Sequence, residues 1–238
     1  MQANLVSCLF ILDSEKNRNI RKNDIKKIKI LVTDEEKLPD IPFKAKGIKN
    51  QIRKNISSII GSDYFHVEQV FSYDHGAELD VIYLGITNME NIIKLKKGYK
   101  LIEFKVENNN TIVFGDKKFK YKTVENIDNK NIEYTHEIQA DDNIKSTLLK
   151  LLITYKKIRS SLDNTDMLFK FMGETFTLED VRIVYELIKD TSVDKSNFRK
   201  KIIKYCEKVE EKKTEKQGYR PSQKYSFKPL KGDVWLWY

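Results

Sequence analysis

Apolar and polar positions alternate along the chain in patterns that predict a mixed α/β protein. Leu5–Leu12 (LVSCLFIL) is a continuous apolar run of strand type, and Ile25–Val32 (IKKIKILV) places Ile25, Ile28, Ile30 and Val32 largely in alternation. Asp13–Asp24 between them is polar and charged, a turn or loop. Thr33–Lys46 holds Pro39 and Pro42 and predicts an irregular connection. Ile48, Ile52, Ile56 and the pair Ile59/Ile60 then recur at helical spacing, with Gly61 as the stop, so a helix is expected over Ile48–Ile60. Phe65–Tyr73 and Leu79–Ile86 are strand-like around Asp74-His75-Gly76. Lys100–Val106 and Thr111–Phe114 suggest a hairpin across Asn108–Asn110. Asp141 or Asp142 can cap a long helix whose apolar residues are Ile144, Leu148, Leu151, Leu152, Tyr155 and Ile158, and Ser160–Asp166 reads as a link.

The final third carries a different rhythm. Thr177, with Asp180 three residues on, opens a helix whose Val181, Val184, Tyr185 and Ile188 form one buried stripe. Asp190–Val193 breaks it, and Asp194 can cap a second helix. That helix sets Lys195, Ser196, Asn197, Arg199, Lys200, Lys201 and Lys204 around a thin stripe of Phe198, Ile202 and Tyr205. Donors crowded into the first two turns are what reading a major groove needs, because those turns meet base edges and phosphates. Glu207–Lys213 and Gln223–Phe227 then look like two strands joined through Thr214–Gly218. Helix, turn, basic helix and hairpin in that order is the winged helix-turn-helix arrangement. A small helical domain with a solvated basic face is the plainer alternative.

Charge sharpens this picture. The 238 residues carry a formal net charge of +9. Thr191–Lys228 alone holds twelve Lys or Arg against five Asp or Glu, a surplus of seven. Positive charge concentrated on a helix and wing favours a polyanion. The opposing consideration is that Lys and Asn are abundant throughout the chain. The N-terminal apolar run is too short, and too soon followed by acids, for a signal peptide or membrane span, so no membrane partner is expected. Cys8 and Cys206, in different halves, fit a reduced cytoplasm, and the sequence has no metal-ligand spacing.

The C-terminal stretch resembles the winged helix domain of the Nudix-related transcriptional regulators of the NrtR type. The resemblance rests on Phe176-Thr177-Leu178, on the run Asp194-Lys195-Ser196-Asn197-Phe198-Arg199-Lys200-Lys201, and on Arg220-Pro221 with Tyr225 and Phe227. Tyr219, between Gly218 and Arg220, departs from the family's wing. More faintly, Leu38-Pro39, the helix ending at Gly61, His66–His75 and Tyr134–Ile138 echo the Nudix half of those proteins. The resemblance implies an α/β (α+β) fold: a Nudix-like α/β/α sandwich over residues 1–160, then a winged helix-turn-helix domain over 161–238. It also implies a homodimer paired through the Nudix halves, an inverted-repeat operator in double-stranded DNA, and a small-molecule effector. In the family the effector is typically an NAD-related nucleotide such as ADP-ribose, or in some relatives a sugar.

A Nudix hydrolase needs a box of glycines and glutamates whose carboxylates hold divalent cations against a diphosphate. With Gly61 as its late glycine, the first glycine falls on Asp40 and the first glutamate on Lys46. The Arg-Glu pair falls on Lys54 and Asn55, and the two metal-binding glutamates on Ser58 and Ile59. Every required carboxylate is replaced, and a helix bearing Lys46, Lys49, Arg53 and Lys54 would repel Mg²⁺. His66, His75 and His136 form no catalytic constellation: His75 beside Asp74 reads as a turn residue and His66 as half-buried packing. The resemblance places His136 at a structural or pocket position of the family, not a catalytic one. No catalytic residue, metal site or cofactor is therefore expected. The expected function is a repressor that touches DNA through Lys195, Ser196, Asn197, Arg199, Lys200, Arg220 and Lys224. The acidic residues Glu207, Glu210, Glu211 and Glu215 leave open an adaptor whose winged helix meets protein. The aromatic tail Val234–Tyr238 reads as docked apolar surface.

Overall fold

The structure is a computed structural model that describes residues 2–15, 25–44, 46–74, 78–128, 131–163, 166–210 and 222–228. They fall into two compact units, Met1–Ser160 and Ser161–Tyr238. The turn at His75–Gly76, the segment Thr214–Pro221 with Arg220, and the tail Val234–Tyr238 lie outside the described residues.

The first unit is built on a sheet of nine strands: β1 Gln2–Glu15, β2 Ile25–Thr33, β3 Asp40–Pro42, β4 His66–Asp74, β5 Glu78–Asn88, β6 Tyr99–Glu107, β7 Thr111–Phe114, β8 Lys117–Asp128 and β9 Asn131–Ile138. Their order is β4-β5-β1-β2-β6-β7-β8-β9, with β3 beside β1. β1 runs parallel to β5 from Gln2↔Glu78 to Leu12↔Asn88, and every other pairing is antiparallel. Helix α1 (Ile48–Ile60) packs on one face, where Leu5, Leu9 and Ile11 of β1 meet Ile52, Ile56, Ile59 and Ile60. The alternate residues of β1 face α2 (Asp142–Ser161). There Phe10 and Phe104 enclose Tyr155, with ring centroids 5.5 to 6.4 Å apart. Because both faces of β1 are covered, its apolar run is continuous rather than alternating.

Two glycines set how closely α1 can pack. Gly61 ends the helix at φ 71° and returns its N–H to the Ser57 carbonyl at 2.8 Å. A Cβ there would press on the Lys94 backbone at 3.3 Å, and Lys94 in turn donates to the Ile60 carbonyl. Gly85 of β5 lies beneath the helix, where a Cβ would come within 2.6 Å of Leu9 and 3.6 Å of Ile56. On the other face an ion pair joins Lys150 to Asp80 at 2.6 Å, with both side chains nearly buried. The Cys8 thiol beside Thr154 is pushed up to about 12, chiefly by burial.

Three expectations need correction, and one hairpin was not expected. β1 continues through Glu15 into the segment read as loop. The two-proline connection contains β3, which pairs with β1 from Asn4↔Pro42 to Val6↔Asp40 and tolerates Pro42 at its end. Lys117–Ile138, where no element was expected beyond the echo at Tyr134–Ile138, forms the hairpin β8–β9. The link after α2 begins later, since the helix runs to Ser161 and a 3₁₀ segment starts at Asp166. The hairpin across Asn108–Asn110 forms as expected, with Asn108 and Asn109 at φ 51° and 55°. None of the helices among the described residues is long and apolar enough to cross a membrane.

Candidate nucleic-acid interface

The second unit is assembled around an aromatic box. A 3₁₀ segment, Asp166–Phe171, buries Met167, Leu168, Phe169 and Phe171. The Phe169 ring stacks on Phe227 at 4.5 Å and meets Phe176 at 5.7 Å and Tyr205 at 6.3 Å. Helix α3 (Leu178–Lys189) starts with a reciprocal cap: the Asp180 N–H donates to Thr177 Oγ1 at 3.1 Å, and the Thr177 N–H donates to the Asp180 carboxylate at 2.9 Å. Replacing Thr177 with alanine should cost about 1 kcal/mol, the usual worth of an N-cap. A chemical-denaturation midpoint would read it, and an unchanged midpoint would show the cap idle.

Arg182 stitches α3 to its following turn. Its guanidinium binds Glu179 at 2.6 and 3.0 Å and Glu186 at 2.5 Å, and Glu186 also accepts the Val193 N–H at 2.9 Å. The hydrogen bonds that Arg182 donates to Glu179, ahead of opposing burial, hold it firmly in its charged form. Asp163, near the start of the unit, anchors the C-terminal half of α3 by accepting from Tyr185 at 2.7 Å and Lys189 at 2.6 Å. Burial opposes its charge, but those bonds hold its carboxyl below the usual range.

Helix α4 (Lys195–Ile202) is capped by Asp194, whose side chain accepts the Asn197 N–H at 2.8 Å. Phe198 and Ile202 are buried, and Phe198 meets the Tyr185 ring of α3 at 5.2 Å. The basic helix is shorter than expected: Ile203–Tyr205, including Lys204, forms a 3₁₀ turn. Lys195, Ser196, Asn197, Arg199 and Lys200 are all exposed. At about 100° per residue, Ser196, Asn197 and Lys200 lie opposite the buried stripe and Arg199 lies on its flank. Lys195 has an anion nearby, Glu179 at 3.7 Å.

The wing strands are shorter than the sequence suggests, β10 at Cys206–Lys208 and β11 at Tyr225–Phe227. Tyr225 bonds backbone to backbone with Phe176 (2.8 and 2.9 Å) on one side and pairs with Lys208 on the other. This third, one-residue strand at Phe176 went unread because a single bridge leaves no periodicity. Lys224, half-buried, adjoins β11 and lends its carbonyl to the Val209 N–H at 3.0 Å. Of the seven residues expected at DNA, five are exposed on α4, three of them on its outward face, and Lys224 stands at the wing's root. Arg220 lies outside the described residues. Exposed Lys208 is a basic wing residue that sequence reasoning did not single out.

Residues 168–227 match the family described as the NrtR DNA-binding winged helix domain. No curated protein shows significant sequence similarity to the chain. Among solved structures, a MutT/nudix family protein from Enterococcus faecalis superposes with a TM-score of 0.65 at 15% identity, over 96% of this chain and 88% of that one. Shewanella oneidensis NrtR gives 0.61 at 10% identity, over 96% and 94%. The same protein complexed with a 27mer DNA gives 0.59 at 11%, over 95% and 93%. The chain thus has the architecture of the NrtR-type regulators, a Nudix-like fold followed by a winged helix that matches their DNA-binding domain.

Proposed function

We propose that the chain is a transcriptional regulator, a repressor that binds an inverted-repeat operator as a homodimer and responds to a small molecule in its Nudix-like domain. The observation that carries this reading is α4, a capped helix with its apolar side buried and five donor-bearing residues exposed in its first two turns. In this reading Arg199 and Asn197 read base edges, and Lys195, Ser196, Lys200, Lys224 and Arg220 meet phosphate. The likeness to a protein solved on DNA supports it. The test is a binding titration on DNA from upstream of its own operon, with light scattering on the free protein. Specific binding and a mass twice the 28.1 kDa chain are expected. A strict monomer, free and on DNA, would overturn the dimer.

We further infer that the Nudix-like domain binds without turnover, with ADP-ribose or another NAD-related nucleotide as the first effector to try. Three polar side chains of the helix that would carry the catalytic carboxylates bond to its own backbone or to the stretch that follows it. Arg53 donates to the Asp63 carbonyl at 2.9 Å and the Phe65 carbonyl at 3.2 Å, Ser58 donates to the Asn55 carbonyl at 2.8 Å, and Ser57 bonds Asp63. A pocket that binds and does not hydrolyse can bias the two winged helices of a dimer through its differential affinity for their arrangements. Incubation with Mg²⁺ or Mn²⁺ and ADP-ribose, NADH or nucleoside triphosphates should release no product above buffer. Turnover on the order of 1 s⁻¹ would restore the hydrolase. The exposed acids Glu207 and Glu210 beside the wing favour one second reading, an adaptor whose winged helix meets protein. Failure of every DNA tested would bring it forward.

A further inference from the structure

Away from α1 and α4, the hairpin β8–β9 and helix α2 converge on one ring. Tyr121 and Thr123 of β8 and His136 of β9 share a sheet face, with Thr123↔His136 in register. Lys156 of α2 stands over the Tyr121 ring, its Nζ 5.2 Å from the centroid, and the His136 ring meets it edge-on at 6.2 Å. Arg159, one turn after Lys156, bonds Asn109 in the β6–β7 turn.

The bonding within this niche is one-sided. Lys156 donates to Thr123 Oγ1 at 3.0 Å, and its Nζ lies 3.4 Å from His136 Nε2. His136 Nδ1 is 3.2 Å from the same Thr123 oxygen. A neutral imidazole with its proton on Nδ1 meets all three contacts, accepting from lysine at Nε2 and donating to threonine. Among the described residues no carboxylate forms an ion pair with Lys156. Tyr121 is 4% exposed, and its hydroxyl has no hydrogen-bond partner. A buried, unpartnered hydroxyl is costly to fold, so a group that accepts from it is favoured there. The electrostatics agree: burial, then Arg159, pushes the Lys156 pKa down, and burial, then Lys156, pushes the His136 pKa down. The Lys156 ammonium and the spare Tyr121 O–H, with no carboxylate bonded to either among the described residues, make a receptor lacking its acceptor.

We propose that Tyr121, His136 and Lys156, with Arg159 adding charge, form a binding site for an oxyanion, the phosphoryl or carboxylate group of a small ligand. Bound there, the anion accepts from Tyr121 Oη and Lys156 Nζ, and His136 takes a proton at Nε2 and donates to it. This site lies on the α2 side of the sheet, and the proposal does not rest on DNA binding.

The experiment follows the ring protons of His136 by NMR in the full chain during pH titration, with His66 and His75 as internal references. Inorganic pyrophosphate and inorganic phosphate form one arm and malonate the other, with NaCl at matched ionic strength as the control. The binding arm should raise the His136 pKa by about one unit, saturably, and leave His66 in place. The arm that does so identifies the source as phosphoryl or carboxylate. Lys156→Met should weaken the effect about tenfold, the worth of a charged hydrogen bond. Tyr121→Phe, which keeps the packing, should weaken it severalfold, so a folding defect in one variant leaves the other as the test. No His136 shift at about 10 mM in either arm overturns the site, because affinity would then lie below a useful range. So do equal shifts of all three histidines, or a Tyr121→Phe protein that binds like the wild type.

Discussion

Arg199→Ala is expected to lower operator affinity by roughly 1–3 kcal/mol and leave both units folded. Arg199 is exposed on the flank of α4, and among the described residues its side chain makes no hydrogen bond or ion pair. Truncation therefore removes a group with nothing to hold in the free protein. On DNA the same group can make a bidentate contact to a guanine edge, the kind that discriminates one sequence from another. Lys224→Ala should act differently. A phosphate contact weakens binding evenly across sequences and flattens the salt dependence by about one unit of slope. Titrations on operator and scrambled DNA at several salt concentrations read both effects. If Arg199→Ala binds its operator like the wild type, α4 does not read bases through this residue.

Phe169→Ala should be the most damaging single change to the second unit, at roughly 3–5 kcal/mol. This ring touches three others, which belong to the strand before α3, the turn after α4 and the wing. Removing it leaves a cavity where those pieces meet. For a domain of this size each kcal/mol lowers the melting temperature by about 4–8 °C, so the unit should unfold well below the wild type. Hydrogen exchange read by mass spectrometry separates the units: amides of 166–228 should lose protection while those of β1 and β5 keep theirs. Unchanged protection across α3 and β11 would mean that the box is ornamental.

The legibility of each part in the sequence depends on how that part is stabilised. α1, α2 and α3 each bury one stripe against a partner, so their periodicity survives in the residues, and the Thr177–Asp180 cap is written into the side chains at its two ends. β8 and β9 hid because their inward positions are not uniformly apolar. Thr123 and His136 face Lys156 instead of a greasy core, and the outward Lys118 and Lys122 pair with Glu107 and Glu137. β3 hid behind prolines that only an edge position permits. At the interface the donors of α4 could be read, but not the brevity of the helix. Lys204 continues the pattern of charges while the backbone tightens into a 3₁₀ turn.

The pairing of β1 has a consequence for the order in which the protein can form. Its parallel neighbour is synthesised late, because Gln2 pairs with Glu78 and Leu12 with Asn88. Until β5 emerges, the run LVSCLFIL has an open side with no mate, and unmated apolar strands are what nascent chains lose to aggregation. The second unit is built from neighbours close in sequence, apart from the return of β11, and has no such wait. Closing long loops before contacts reward it is slow. The first unit should therefore be the later of the two to mature, though its residues are made first.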